Sequence, residues 1–226
     1  MAERRPILAG SPVFWGFLKY VLLGPVLRLL FRPRATGLEH LPRTGGAIVV
    51  ANHVSFLDPL LVPLVVPRRV MFLTKVKYID KPLLRWFLTG AGVIPVASDD
   101  PAAVGGAVAA GVEAVRAGRL VGIFPEGTRS RDGRLHRGKT GAARIAMETG
   151  VPVIPAGVTG TDLAWPRGAK LPRPRSVHIT FGPPINFAVT EGKPDPAQAR
   201  LATDQLMAAI GQLSGQETGA DYSVEK

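Results

Sequence analysis

The chain has 226 residues, 46% of them hydrophobic, which suits one folded domain with a sizeable core and argues against disorder. It contains no cysteine, so disulfides, thiolate metal sites, iron–sulfur clusters and thiol nucleophiles are excluded. Lysine and arginine number 28 against 17 acidic residues, a formal charge of +11, so the expected partners are anionic; with aromatics at 7% and none interleaved with the basic runs, phosphorylated small molecules and lipid headgroups fit better than nucleic acid.

The first informative stretch is SPVFWGFLKYVLLGPVLRLLFRPR, residues 11–34, apolar over about the length that spans a bilayer. Lys19 and Arg28 would fall on opposite faces of a continuous helix, and Gly24-Pro25 would break that helix between them. The expectation is two short helices with a kink, lying in or dipping into a membrane interface while the cations snorkel beside Trp15 and Tyr20. A packing helix of a soluble core is the alternative. Arg32 and Arg34 stand where the cleavage site of a secretory signal should be.

From residue 45 short apolar runs alternate with helical patterns, the signature of an α/β domain. Strands are predicted at 47–51, 70–74, 92–96, 119–124, 152–158 and 176–182, and helices over 59–66, 78–89, 101–117, 139–149 and 196–213. Asp100-Pro101 marks a helix start, with an N-cap followed by proline at the first helical position. Residues 165–175 form a proline-rich basic loop. The domain plan is therefore 1–34, a membrane-associated helical segment; 35–213, the catalytic-sized domain; and 214–226, a disordered polar tail.

VVANHVSFLDP, residues 49–59, places His53 and Asp58 five positions apart after an apolar run. That spacing separates two side chains by about 140° on a helix and sends them to opposite faces of a strand. They meet only if the strand ends, the chain turns through NHVSFL, and a helix begins at Pro59. In that arrangement Asp58 orients the His53 imidazole, whose other nitrogen takes a proton from an attacking hydroxyl. The plainer alternative makes Asp58 an N-cap and His53 an ordinary loop residue. Ser55 is a conceivable nucleophile, but no G-x-S-x-G elbow surrounds it. His40, His136 and His178 lack a carboxylate at a comparable spacing and are assigned to surface or strand positions.

GIFPEGTRSRDGRLHRGK, residues 122–139, starts as a strand and ends as a basic loop. Arg129, Arg131, Arg134, Arg137 and Lys139 face only Glu126 and Asp132 within it, so an anion is expected there unless the loop is simply solvated. On the functional reading Glu126, Gly127, Thr128 and Arg129 hold an anionic group at the carboxyl end of a strand. Arginine gives bidentate contacts, glycine lets backbone approach, and the glutamate positions the arginine or a substrate hydroxyl. GRLHRGKT, residues 133–140, matches the phosphate-loop pattern G-x-x-x-x-G-K-[ST]. Its context argues against a nucleotide hydrolase, since PEGTRSRD separates it from the preceding strand.

NHVSFLD resembles the N-H-x(4)-D motif, and FPEGTRS the second diagnostic motif, of the glycerolipid acyltransferase family, typified by PlsC-like 1-acylglycerol-3-phosphate acyltransferases. GVPVIP (150–155) and FGPPI (181–185) are similar to later blocks of that family, in the same order. The resemblance covers about residues 45–185. It implies an α/β fold, a single-domain mixed sheet flanked by helices with an N-terminal membrane-associated segment. It also implies transfer of an acyl group from acyl-CoA or acyl carrier protein to a lysophospholipid hydroxyl, first of all that of 1-acylglycerol-3-phosphate. By that analogy His53 is the base, Asp58 its orienter, Asn52 part of the substrate site, and the Glu126–Arg129 loop the acceptor-phosphate site. The implied setting is the cytoplasmic face of the cell membrane, as a peripheral or monotopic protein on an anionic lipid surface, with no bound cofactor or metal and no nucleic-acid partner.

One departure bears on the acceptor. The family's middle block usually ends in an arginine implied in phosphate binding, whereas GVIPVASDD has Ser98 at that place and Ala97 where an acid is common. Either Arg129 with Lys75 or Arg131 supplies the charge, or the acceptor is a different lipid. A catalytically silent lipid-binding protein of the same fold is the alternative from another class.

Overall fold

The computed structural model describes residues 10–75, 85, 88, 92–96, 101–219 and 221–222, and of Lys75, Val96 and 101–104 only the backbone. The helix expected over 78–89 lies almost wholly outside these residues, as do Ala97 and Ser98.

The chain opens with α1 (Pro12–Phe17), a π-helical stretch (Leu18–Leu22) and α2 (Leu23–Phe31), then β1 (Arg34–Thr36) and β2 (Ala47–Ala51). There follow α3 (Asp58–Val65), β3 (Val70–Lys75), β4 (Val93–Val96), α4 (Pro101–Arg116) and β5 (Leu120–Ile123). The chain continues through α5 (Gly141–Thr149), β6 (Val153–Thr159), α6 (Thr161–Ala164), β7 (His178–Phe181) and α7 (Pro196–Ser214). The strands form one sheet of seven in the order β1-β7-β6-β2-β5-β3-β4. All neighbours are parallel except β6 and β7. This is the mixed α/β sheet that the sequence implied.

β2 lies at the centre, between β6 and β5, and all five of its residues are buried. Its side chains alternate as a pleat requires. Ile48 and Val50 join a core with Val112 of α4, Ile145 of α5 and Ile210 of α7. Ala47, Val49 and Ala51 join a second core, on the other face, with Phe31 of α2 and Leu61 and Val62 of α3. Helices therefore cover both faces, as a parallel sheet demands.

The amino-terminal segment differs from expectation. No break occurs at Gly24-Pro25: Pro12–Phe31 is one helical run of 20 residues, long and apolar enough by length and composition to cross a membrane. The π-helical stretch takes up the irregularity immediately before Pro25, which then falls in the first turn of α2, where proline costs little. Gly24 is required there, because a Cβ would overlap the Lys19 carbonyl. Nor does Lys19 snorkel to solvent; its Nζ is buried and donates to Pro63 O (3.2 Å) and Val66 O (2.5 Å) at the end of α3. Arg28 turns the same way, donating to Lys19 O (3.1 Å) and Leu64 O (3.5 Å). The cations thus satisfy carbonyls at a helix C-terminus, where positive charge is favoured.

In the tail, residues 214–219 and 221–222 are described. These pair alongside Gly133–Arg137, where disorder was expected: Leu135 N donates to Glu217 O (2.9 Å), Gly219 N to Leu135 O (2.8 Å) and Arg137 N to Asp221 O (2.9 Å).

Candidate functional site

β2 and β5 are adjacent and parallel, so the residues that follow them leave the sheet at the same edge. The carboxyl edge of a parallel sheet is where α/β proteins place their sites. That topology brings His53 to Glu126, 73 positions apart in the chain.

After Ala51 the chain turns and α3 begins at Asp58. His53 Nδ1 lies 2.8 Å from Asp58 Oδ2, and the backbone N–H groups of Val54 and Ser55 donate to the same oxygen, each at 2.8 Å. Asp58 is fully buried, while the His53 side chain is 16% exposed. The aspartate therefore reaches back to the turn before it instead of capping the N–H groups after it, which sets aside the plain N-cap role. With Nδ1 held, Nε2 is the nitrogen left to exchange a proton. Phe124 stacks on the imidazole at 4.2 Å and is itself stacked on Phe72 at 4.9 Å, fixing the ring plane.

Glu126 joins the two loops. Its Oε1 accepts the His53 N–H and its Oε2 the His136 N–H, both at 3.1 Å. Ser130 N donates to His53 O at 2.7 Å, so the second loop grips the His53 peptide from both sides. Burial raises the Glu126 carboxyl from 4.5 to about 7, against the lowering pull of the two N–H bonds. Gly127 has a left-handed φ of 72°, and a Cβ there would crowd the Lys139 side chain at 3.0 Å.

The remaining sequence-derived positions fall as follows. Asn52 is fully buried and turned into the sheet; its Nδ2 donates to Val158 O (2.9 Å) and its Oδ1 accepts from Val158 N (2.7 Å). Both polar atoms are thus engaged by β6. Thr128 and Arg129 are half-buried and Arg131 exposed, on the loop that Ser130 ties to His53. Lys75 ends β3 in register with Val96, two strands from β2, and its side chain lies outside the described residues. Ser55 is buried, its Oγ donating to Trp165 O and accepting from Leu57 N, each at 3.4 Å.

His136 was missed by sequence reasoning. Its Nε2 lies 2.9 Å from Asp132 Oδ1, which also accepts from Ser130 Oγ and Arg134 N, and this hydrogen bonding holds the Asp132 carboxyl down at about 2. The four-residue interval between Asp132 and His136 was the available signal. The phosphate-loop match at 133–140 forms no anion cradle, because the N–H groups of Leu135, His136, Arg137 and Lys139 are taken by Glu217, Glu126, Asp221 and Pro125. Among the described residues no three His, Asp or Glu side chains gather as a metal ion would require.

The Acyltransferase family profile matches residues 32–159, which span both loops and all of the contacts between them. The chain belongs to the acyltransferase family. It is 39% identical over 135 residues to the chloroplastic 1-acyl-sn-glycerol-3-phosphate acyltransferase BAT2 of Brassica napus, covering 59% of this chain and 39% of that protein. It is 33% identical over 168 residues to the chloroplastic 1-acyl-sn-glycerol-3-phosphate acyltransferase LPAT1 of Arabidopsis thaliana, covering 74% and 47%. This acyltransferase-family chain therefore spans less than half the length of either plant relative. The crystal structure of the 1-acyl-sn-glycerophosphate acyltransferase PlsC from Thermotoga maritima superposes with a TM-score of 0.65 at 24% identity, over 89% of this chain and 87% of that one, a likeness of fold.

Proposed function

We propose that this protein transfers an acyl group from an acyl thioester, acyl-CoA or acyl carrier protein, to the free hydroxyl of a lysophospholipid, with 1-acylglycerol-3-phosphate as the preferred acceptor. The observation that carries the proposal is the buried Asp58 holding His53 Nδ1 at 2.8 Å while Glu126 binds the His53 peptide to a cationic loop. Relatives named for this reaction support the choice of acceptor.

His53 Nε2 removes the acceptor proton as the oxygen attacks the thioester carbonyl carbon. The tetrahedral intermediate collapses, the carbon–sulfur bond breaks, and the carrier thiolate leaves with the proton returned by His53. Asp58 stabilises the imidazolium formed in between. Arg129 and Arg131 supply the charge for the acceptor phosphate. The helix Pro12–Phe31 keeps the protein at the membrane where its acceptor resides, on the cytoplasmic face.

The test is thiol release from acyl-CoA mixed with 1-acylglycerol-3-phosphate, comparing the protein with His53→Ala. The absence of cysteine lets a thiol reagent report the carrier alone. Acceptor-dependent release that His53→Ala abolishes is expected, and equal rates with an acceptor lacking the phosphomonoester would overturn the phosphate assignment.

A further inference from the structure

Residues 161–175 follow β6 on the sheet face that carries α2 and α3. Ala164 and Trp165 pack into the core there. The stretch contains one acid, Asp162, against Arg167, Lys170, Arg173 and Arg175, all four exposed. Among the described residues, no carboxylate pairs with any of them. Set among these charges are two apolar side chains with no visible purpose in a soluble surface, Leu163 (59% exposed) and Leu171 (77%).

Two connections give the loop a position. Arg175 N donates to Leu30 O and Val177 N to Phe31 O, so it is hydrogen-bonded to the end of the amino-terminal helix, which itself exposes Val26 and Leu29. At its other end, Trp165 meets the ring of Phe56 edge-on at 5.8 Å and accepts from Ser55 Oγ, both residues of the turn that carries His53.

We propose that α6 and the loop 165–175 form a second membrane-contacting surface, in which Leu163 and Leu171 enter an anionic bilayer while the four cations meet its lipid phosphates. Cations alternating with large apolar groups match an interface whose outer layer is phosphate and whose inner layer is hydrocarbon. Continuity with the apolar helix favours a lipid surface over an acidic protein partner. The mouth of the His53 turn then lies between two lipid contacts, so that a membrane-borne acceptor reaches the base without leaving the bilayer edge. That last consequence rests on the proposed function; the contact itself does not.

Because the chain lacks cysteine, Leu171→Cys carries a polarity-sensitive fluorophore at one place, and Leu201→Cys, exposed on α7 at the opposite sheet face, is the control. The expected result is a blue shift at position 171, none at 201, on phosphatidylcholine vesicles containing phosphatidylglycerol, weakened by salt. Replacing the four cations with serine should weaken vesicle binding by about fivefold per cation, leaving turnover of a water-soluble short-chain acceptor unchanged. A label at 171 that stays in water while the protein sediments with the vesicles overturns the proposal. So does failure to sediment, or a response to an acidic carrier protein and not to vesicles. Insertion without thiol release would overturn the proposed function and leave this surface standing.

Discussion

The main-chain N–H of His53 rests on Glu126 Oε1 at 3.1 Å, so a carboxyl group from one loop sets the position of the histidine carried by the other. Glu126 titrates at about 7, against 4.5 in an unfolded chain, chiefly because it is buried. The folded protein therefore binds this proton more tightly, and the stability so gained is complete below pH 4.5 and lost as pH rises to about 7. The loss amounts to about 3 kcal/mol. Urea midpoints measured across that window should fall for the native sequence and stay level for Glu126→Gln. The glutamine also turns an NH2 group toward one of the two N–H donors, and a roughly 10²-fold drop in kcat/KM is expected from the displaced base.

On the proposed mechanism His53 and Asp58, 2.8 Å apart, act as one unit. Either His53→Ala or Asp58→Asn should lower kcat by about 10²–10⁴-fold, and the double variant should be scarcely worse than His53→Ala. Additive losses in the thiol-release assay would count against the pairing. Ser55→Ala should turn over near the native rate, with no acyl-enzyme in quenched samples examined by mass spectrometry.

Asn52 stands beside His53 but its amide serves β6. Asn52→Ala leaves Val158 N–H and C=O buried and unpaired, at a cost of about 3 kcal/mol. The expectation is a lowered denaturation midpoint with little change in acceptor KM; a raised KM at unchanged stability would instead return Asn52 to the substrate site.

Lys19→Met keeps the apolar stem and removes the charged donor from the α3 carbonyls. About 2 kcal/mol of docking energy should go with it. Limited trypsin digestion should then cut after Arg28 roughly thirtyfold faster, since opening of the helix precedes cleavage.

The strands that bury both faces were the easiest to find: Ala47–Ala51 was predicted to the residue, because a run of five apolar side chains bounded by glycine and asparagine has few other uses. β1 escaped notice, since Arg-Ala-Thr at a sheet edge has neither length nor alternation. The His53–Asp58 contact was legible because an awkward spacing forces a turn. The double role of Glu126 was not, because its partners are backbone N–H groups, which no side-chain pattern announces. Lys19 misled for a related reason: its acceptors are carbonyls 44 and 47 positions away, freed by the end of another helix.

The central strand β2 finds its neighbours only late in the chain. Ile48 pairs with Val121 on one side and Val153 on the other, and Asn52 reaches a partner 106 positions downstream. A growing polypeptide must therefore carry this bare, β-prone segment through the synthesis of about seventy further residues before β5 covers one flank and about a hundred before β6 covers the other, a delay that favours slow folding and self-association. The segment that delivers His53 is also the one most exposed to misassembly, which makes yield at elevated temperature, before any assay of turnover, the property most sensitive to changes in Ala47–Ala51.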